Sequence, residues 1–261
     1  MGVLDGRAAV VTGAGRGLGR VEAIELARHG AAVVVNDIGT TRDGTGRDTA
    51  PAEDTVAEII GAGGRAMAHF GDVADWEQSA DLVRTAVDEF GALDIVVNNA
   101  GVASPMVPIE EMEEDLFDRL FNVNVKSVYL FCRHAVEALR TNGGTIINTA
   151  STSAIKPRPL NAGYAASKAA VITLTKALAV ELAKDRIRVN ALTPVASDTP
   201  LFRDFLGDQA EAMKAKVESA IPVGRLCLPS DMASCAVFLA SDEAHFLTGI
   251  SLPVDGGWTA S

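Results

Sequence analysis

Tyr164 and Lys168 stand four residues apart in the run Tyr164-Ala165-Ala166-Ser167-Lys168, and Ser151 precedes the tyrosine by thirteen residues. A phenol, an ammonium and a hydroxyl that converge on one point can move a proton on and off an alcohol oxygen. On a helix, positions i and i+4 share a face, so the spacing sets the ammonium beside the phenol. A free phenol titrates at about 10, too high for a base at neutral pH, and an adjacent cation stabilises the phenolate. At about 4 Å and an effective dielectric of about 20 the attraction is roughly 4 kcal/mol, or about three pKa units. A chance Tyr-Lys pair on a helix surface has the same spacing, so the partners elsewhere in the chain decide.

The strongest partner lies near the start. The apolar run Ala8-Ala9-Val10-Val11 feeds into T-G-A-G-R-G-L-G, Thr12 to Gly19, with Arg16 and Leu18 inside it, and then into a helical pattern. Strand, glycine turn and helix N-terminus make an anion cradle, because unpaired amides and the helix dipole point at a pyrophosphate. Glycines at 13, 15, 17 and 19 do not follow the G-x-G-x-x-G fingerprint; Gly13, Gly17 and Gly19 make a wider turn. The next buried run, Ala31 to Val35, leads to Asp37, eighteen residues beyond Gly19. A carboxylate there accepts both adenosine ribose hydroxyls and repels a 2′-phosphate, which favours NAD over NADP.

On these motifs the chain resembles the short-chain dehydrogenase/reductase family, whose pattern is T-G-x3-G-x-G, N-N-A-G, an Asn, a Ser and Y-x3-K. All occur here in order: Thr12 to Gly19, Asn98 to Gly101, Asn124, Ser151, then Tyr164 with Lys168. The resemblance runs on to V-D-G-G at Val254 to Gly257. It implies that Tyr164 is the acid/base, that Lys168 lowers its pKa and holds the nicotinamide ribose, and that Ser151 hydrogen-bonds the substrate oxygen. Asn124 would anchor a water linking Lys168 to solvent; as a plain structural residue it would instead pin a helix against a strand. By the same resemblance Asp72 receives the adenine amino group and Val73 packs on the ring. Asn98, Ala100 and Gly101 line the ribose path, and Thr199, spaced from Pro194 as in the family, meets the carboxamide.

Two stretches depart from the family pattern. Gly39 to Thr49 is a long polar loop directly after Asp37, read either as a cover over the adenosine or as a surface loop. Together with Val33 to Asp37 it resembles the hydroxyacyl-CoA dehydrogenase domain of peroxisomal multifunctional enzymes, and Arg16 and Arg42 are the cations that would tolerate NADP. Val195 follows Pro194 where the family usually has glycine, which removes backbone freedom at the start of the substrate lid. That lid, about 195–222, carries Leu201, Phe202, Phe205, Leu206 and Met213, a set suited to an apolar substrate or simply to packing.

Positioning these groups requires strands and helices in alternation. Apolar runs place strands near 8–12, 31–36, 66–70, 93–97, 144–149, 187–192 and 249–254, with helical patterns near 17–29, 50–62, 76–90, 113–139, 162–184 and 230–240. The alternation predicts an α/β fold: a doubly wound, Rossmann-like, mostly parallel seven-stranded sheet in a single domain over 1–261. Pro253, lacking an amide donor, puts the last strand at a sheet edge. Helical runs Val123 to Leu139 and Ala165 to Ala183 are apolar nearly all round, which predicts pairing between chains, as a homotetramer by the family's habit.

Composition bounds the rest. The chain has 261 residues, is 48% hydrophobic and carries a formal charge of −11, so nucleic acid and anionic membranes are poor partners. Cys132, Cys227 and Cys235 are odd in number and sit in apolar segments, which implies no disulfide framework and a reducing compartment. The four histidines show no metal-ligand spacing, and no metal is expected. With no leader and no membrane-length apolar run, a cytoplasmic protein is expected. The expected reaction is NAD(H)-linked interconversion of a secondary alcohol and a ketone on a hydrophobic or cyclic small molecule. The alternatives are a 3-oxoacyl thioester reductase, for which Lys156 and Arg158 near the site mouth would meet a phosphopantetheine arm, and a dinucleotide-sensing regulator without turnover.

Overall fold

A computed structural model describes residues 2–40, 46–199, 202 and 210–261, without the side chains of 210–213. Seven strands form one sheet in the order β3-β2-β1-β4-β5-β6-β7: β1 Ala8–Thr12, β2 Ala32–Asn36, β3 Arg65–His69, β4 Ile95–Asn98, β5 Gly144–Thr149, β6 Ile187–Pro194 and β7 Ser251–Val254. Every pairing is parallel, with Val10 opposite Val34 and Val96 and Ile146 opposite Val189. Parallel neighbours need crossovers, and helices supply them on both faces: α1 Gly17–Arg28, α2 Ala50–Gly61, α3 Trp76–Phe90, α4 Glu114–Phe121, α5 Ser127–Arg140, α6 Ala162–Leu182, α7 Ala210–Ala220 and α8 Pro229–Ala240.

Alternate strand residues feed two cores. Val11, Val33, Val97 and Leu192 pack with Ala23 and Leu26 of α1 and with Met232 and Ala236 of α8. Val10, Val34, Val96 and Ile146 pack on the other face with Leu82 of α3, Phe131 of α5 and Val171 of α6. Strands buried on both sides read as unbroken apolar runs, which is why they were legible. Pro253 lies in the edge strand: the carbonyls of Ile250 and Val254 accept from β6, so its nitrogen faces the open side.

Two elements differ from the sequence reading. The segment expected as one helix over 113–139 is broken: Asn122–Lys126 forms a π turn between α4 and α5. Helix α7, at the far end of the expected lid, was not anticipated, although Met213, Val217 and Ile221 recur at helical spacing and the last two are buried in the first core. Of the expected lid residues, Leu201, Phe205 and Leu206 lie outside the described residues, as do Arg42 and the tip of the polar loop. Val195 carries no strain. It is buried in the first core, and among the described residues only Leu160 and Arg186 are non-glycine residues at positive φ.

Glu22, on the inner face of α1, is fully buried, and neither carboxyl oxygen has a hydrogen-bond partner among the described residues. Desolvation of the charged form pushes its pKa up to about 7. The unfolded chain ionises near the ordinary value while the folded one resists, so stability falls as pH rises through the interval between them. A shift of this size corresponds to about 3 kcal/mol when complete. Glu22→Gln should therefore raise the melting temperature at pH 8 and change it little at pH 5, measured by scanning calorimetry. Equal loss at both values would mean the carboxyl is held by something other than its proton.

Candidate active site

The strand order reverses between β1 and β4, and the crevice beyond their C-terminal ends is where an open α/β sheet binds ligands. Here the glycine turn meets Asn98 to Gly101. The Asn99 side-chain amide donates to the carbonyls of Thr12 (2.9 Å) and Gly13 (3.0 Å), and the Thr12 hydroxyl accepts from the amides of Asn99 (3.1 Å) and Ala100 (3.0 Å). Gly13 has φ +62°, and a Cβ there would stand 2.9 Å from the Ala100 Cα. A Cβ on Gly19 would collide with the Asn99 amide and the Gly13 carbonyl. Gly17, at φ +60°, opens α1, and Thr199 lies 3.8 Å from its missing Cβ, which sets Thr199 beside the glycine turn. Helix α1 has no side-chain cap, so its first amides point into the crevice.

Asp37 follows β2 and accepts from the amides of Gly15 (2.8 Å) and Gly39 (2.8 Å). A carboxylate has about four lone-pair sites, so two remain for ribose hydroxyls. Arg16 reaches outward to Asp48 at 3.2 Å in an exposed pair, a contact worth about 1 kcal/mol or less. Asp72 accepts from Ala74 (2.8 Å) in a turn that leads into α3, with Val73 buried beside it. Leu18 packs against the first core. This cradle fits a dinucleotide: closely approached backbone, free helix amides and one carboxylate at ribose depth.

The three proposed chemical residues come together at the end of β5. Ser151 follows that strand, and Tyr164 and Lys168 lie on α6. The Ser151 hydroxyl lies close enough to the Tyr164 phenol to lower its pKa and accepts from the Ser153 amide at 3.1 Å, so it caps a turn while facing the phenol. The Lys168 Nζ stands 5.9 Å from the Tyr164 ring centroid and donates to the Thr149 carbonyl at 2.8 Å. A Cβ on Gly101 would lie 3.3 Å from that Nζ and 3.1 Å from the Asn124 Oδ1. The loop after β4, the π turn and α6 thus meet at one backbone position.

Electrostatics here runs against the simple expectation. Burial raises the Tyr164 pKa, offset in part by the Ser151 hydrogen bond, and burial lowers Lys168 to about 8. The ammonium hydrogen-bonds a carbonyl, and burial is the dominant influence on both groups. The sequence showed the spacing; the depth of burial was not visible in it.

Asn124 is fully occupied: its Oδ1 accepts from Val102 (2.8 Å), and its Nδ2 donates to the Val102 carbonyl (3.0 Å) and Ser167 Oγ (3.0 Å). It pins the π turn, a geometry that recurs at functional sites, to the strand-end loop and α6. The Asn98 side chain does not line the crevice: it is buried and donates to Asn148 Oδ1 at 2.8 Å, with Asn148 in turn on Thr175. Strand residues alternate, so this side chain faces the core and leaves only the Asn98 backbone, at the end of β4, for the ribose path, while Asn99 turns to the cradle. Asn99 and Thr12 were the site residues that sequence reasoning passed over, although N-N-A-G contained the signal. Pro194 ends β6 beside the crevice.

A family model described as enoyl-(acyl carrier protein) reductase matches residues 13–259. The chain is 40% identical to the 4-formylbenzenesulfonate dehydrogenase TsaC1/TsaC2 of Comamonas testosteroni, over 97% of this chain and 98% of that one. It is 38% identical to the cis-4-hydroxycyclohexanecarboxylate dehydrogenase of Sinomonas cyclohexanicum, over 97% of each. The crystal structure of 3-ketoacyl-(acyl-carrier-protein) reductase from Brucella melitensis complexed with NADH superimposes with a TM-score of 0.88 at 41% identity, covering 98% of this chain and 99% of that one. Gluconate 5-dehydrogenase structures with NADP are also alike, at 34–37% identity. Cradle, Tyr-Lys pair and likeness over nearly the whole chain agree: this protein belongs to the short-chain dehydrogenase/reductase family of nicotinamide-dependent oxidoreductases.

Proposed function

We propose that the protein interconverts a secondary alcohol and a ketone on a hydrophobic or cyclic substrate, with NAD(H) preferred. The carrying observation is the convergence of Tyr164, Ser151 and a buried Lys168 at the C-terminal edge of the sheet. When bound, the nicotinamide supplies the acceptor or donor for the carbinol hydride. Tyr164 takes the hydroxyl proton during oxidation and returns it during reduction, and Ser151 holds the substrate oxygen as charge develops on it. Lys168, by its position against Gly101, holds the ribose and favours the phenolate, and Asn124 keeps the π turn in place. Because the phenol is raised, the protonated form that reduction needs predominates at neutral pH.

Apolar side chains rim the same place. The Val107 amide donates to the Leu160 carbonyl at 3.0 Å and Ser104 donates to Asn161, so segments 102–107 and 153–161 lie side by side. Met106, Ile155 and Leu160 on them are exposed. This supports an apolar substrate body. Relatives named for ring compounds point the same way, while the likeness to a 3-ketoacyl reductase keeps a 3-oxoacyl thioester as the second reading.

The cofactor preference rests on Asp37, and the assembly on the apolar surface of α6 and of the segment before β7, where Val180 is 83% exposed and Phe246 92%. Such surface suits a homotetramer. The three free cysteines suit a reducing, cytoplasmic setting.

Tyr164→Phe should leave NAD binding intact and lower turnover by about 10²–10⁴-fold. In the wild type, kcat/KM for alcohol oxidation should rise with pH above neutrality as the phenolate fraction grows. Unchanged turnover in the variant would refute the assignment. For the cofactor, kcat/KM should favour NAD over NADP by about tenfold or more, the cost of setting a 2′-phosphate against a carboxylate, and Asp37→Ser should narrow the ratio. A wild-type preference for NADP would remove Asp37 as the selector. Light scattering at micromolar concentration should give a mass of four chains; a single-chain mass would end the assembly proposal.

A further inference from the structure

The loop from Ser151 to the start of α6 carries two cations that the proton chemistry does not use. Hydrogen bonds from the amides of Ile155 (3.0 Å) and Lys156 (2.8 Å) to the Thr152 carbonyl fold the loop back. Lys156 Nζ then donates to the carbonyls of Trp258 (3.1 Å) and Ser261, and lies 4.7 Å from the Trp258 ring centroid. The Arg158 guanidinium carbon stands 4.5 Å from the same centroid. The segment holding Trp258 is fixed in turn: the Val223 amide, just past α7, donates to the Gly256 carbonyl at 3.1 Å. Trp258 therefore spans the gap between the catalytic loop and the base of α7.

Among the described residues no acidic side chain pairs with Lys156 or Arg158, as is also true of Lys126, Arg133 and Lys176; what sets these two apart is the Trp258 ring that both face. The nearby Asp255 carboxylate does not neutralise them, being taken by the amides of Gly257 (2.9 Å) and Thr259 (2.8 Å) and by the Thr259 hydroxyl (2.6 Å). Partial burial lowers the Arg158 pKa from its ordinary value, yet a guanidinium keeps its charge and its forked donors. Lys156 has spent donors on carbonyls. Arg158, stacked on an indole with its donor edges uncommitted, is shaped to receive a planar anion in two parallel hydrogen bonds.

We propose that Arg158, backed by Trp258 and Lys156, is the subsite for a carboxylate or sulfonate borne by the substrate at the end remote from its reacting carbon. The proposal deepens the function above and rests on it. Arg158 lies seven residues after Ser151 and six before Tyr164 on one connected loop, so an acid held there has its other end directed at the catalytic groups. The apolar rim of Ile155 and Leu160 would cover the body between. A small organic acid fits better than a multiply charged carrier, because the strongly negative protein as a whole repels large anions.

The test pairs binding with turnover. Calorimetry on the NAD-loaded wild type compares sodium cyclohexanecarboxylate with neutral cyclohexanemethanol, and kinetics compare 4-hydroxycyclohexanecarboxylate with cyclohexanol. The acid should bind more tightly by about tenfold or more, the worth of one charge-assisted pair. Arg158→Ala should abolish that advantage, raise KM for the hydroxy acid and leave cyclohexanol oxidation unchanged; Arg158→Lys should restore part of it. Equal affinity for acid and neutral probe, or an equal loss on both substrates, overturns the subsite. So does inorganic phosphate competing as well as the organic acid, which would mark a general anion trap. If neither alcohol is oxidised, the dehydrogenase reading fails, while the calorimetric comparison still decides the subsite.

Discussion

One side chain holds the two halves of the sheet in working relation. Asn99 bonds the carbonyls at the end of β1 and in the glycine turn, while Thr12 returns two hydrogen bonds to the loop after β4. This lattice closes the crevice at the point of strand reversal. It spans a place where Gly13 and Gly19 leave no room for a Cβ. The turn is therefore bonded and sterically locked, and a cradle of backbone amides costs no reorganisation when an anion arrives. Everything downstream inherits that placement. Gly101 follows Asn99 by two residues and sets the floor on which Lys168 and Asn124 meet.

At the proton site two opposing terms are close in size, and depth decides between them. A cation beside a phenol favours the phenolate, whereas removing both from water disfavours each charged form. Here Lys168 is brought down to about 8 and Tyr164 is raised, so burial prevails. The consequence is a phenol that holds its proton at neutral pH, so the protonated form is the resting one. At about 8 the ammonium still keeps its charge at neutral pH, and the Thr149 carbonyl accepts one of its hydrogens.

Much of the fold was legible because it rests on period and punctuation. Val10 to Thr12 and Ile95 to Val97 are continuous apolar strands, and the glycine turn and Pro253 mark an end and an edge. What escaped notice shares one physical character: it depends on orientation rather than residue type. Asn98 and Asn99 are identical in the sequence, and only strand alternation sends one into the core and the other to the cradle. The π turn at Asn122–Lys126 inserts a residue into an otherwise helical pattern, and no amphipathic period records an extra residue until Asn124 is seen bonded to Val102 and Ser167. Helix α7 shows only a short apolar stripe, Met213 and Val217 continued by Ile221, inside a stretch taken for a lid. Val195 departs from the family's glycine at no backbone cost, since the chain there keeps an ordinary φ.

The two sides of the site are built from different materials, and the difference explains how one chemistry serves many substrates. The cofactor side is strand ends, a locked turn and buried side chains such as Thr12 and Thr55, the latter bonded to the Ala14 and Pro51 carbonyls. The substrate side is a loop, a tail and a short helix joined by single contacts: Val107 to Leu160, Ser104 to Asn161, and Trp258 with its two cations. Leu160 there adopts φ +66°, a conformation unfavourable for a bulky residue and characteristic of functional segments. Contacts this sparse open at low free energy and tolerate replacement without disturbing the core. On the reading proposed above, changes at Arg158 or Leu160 would alter what is admitted, while Tyr164 and Lys168, set on α6 with Lys168 buried, would keep the same proton transfer.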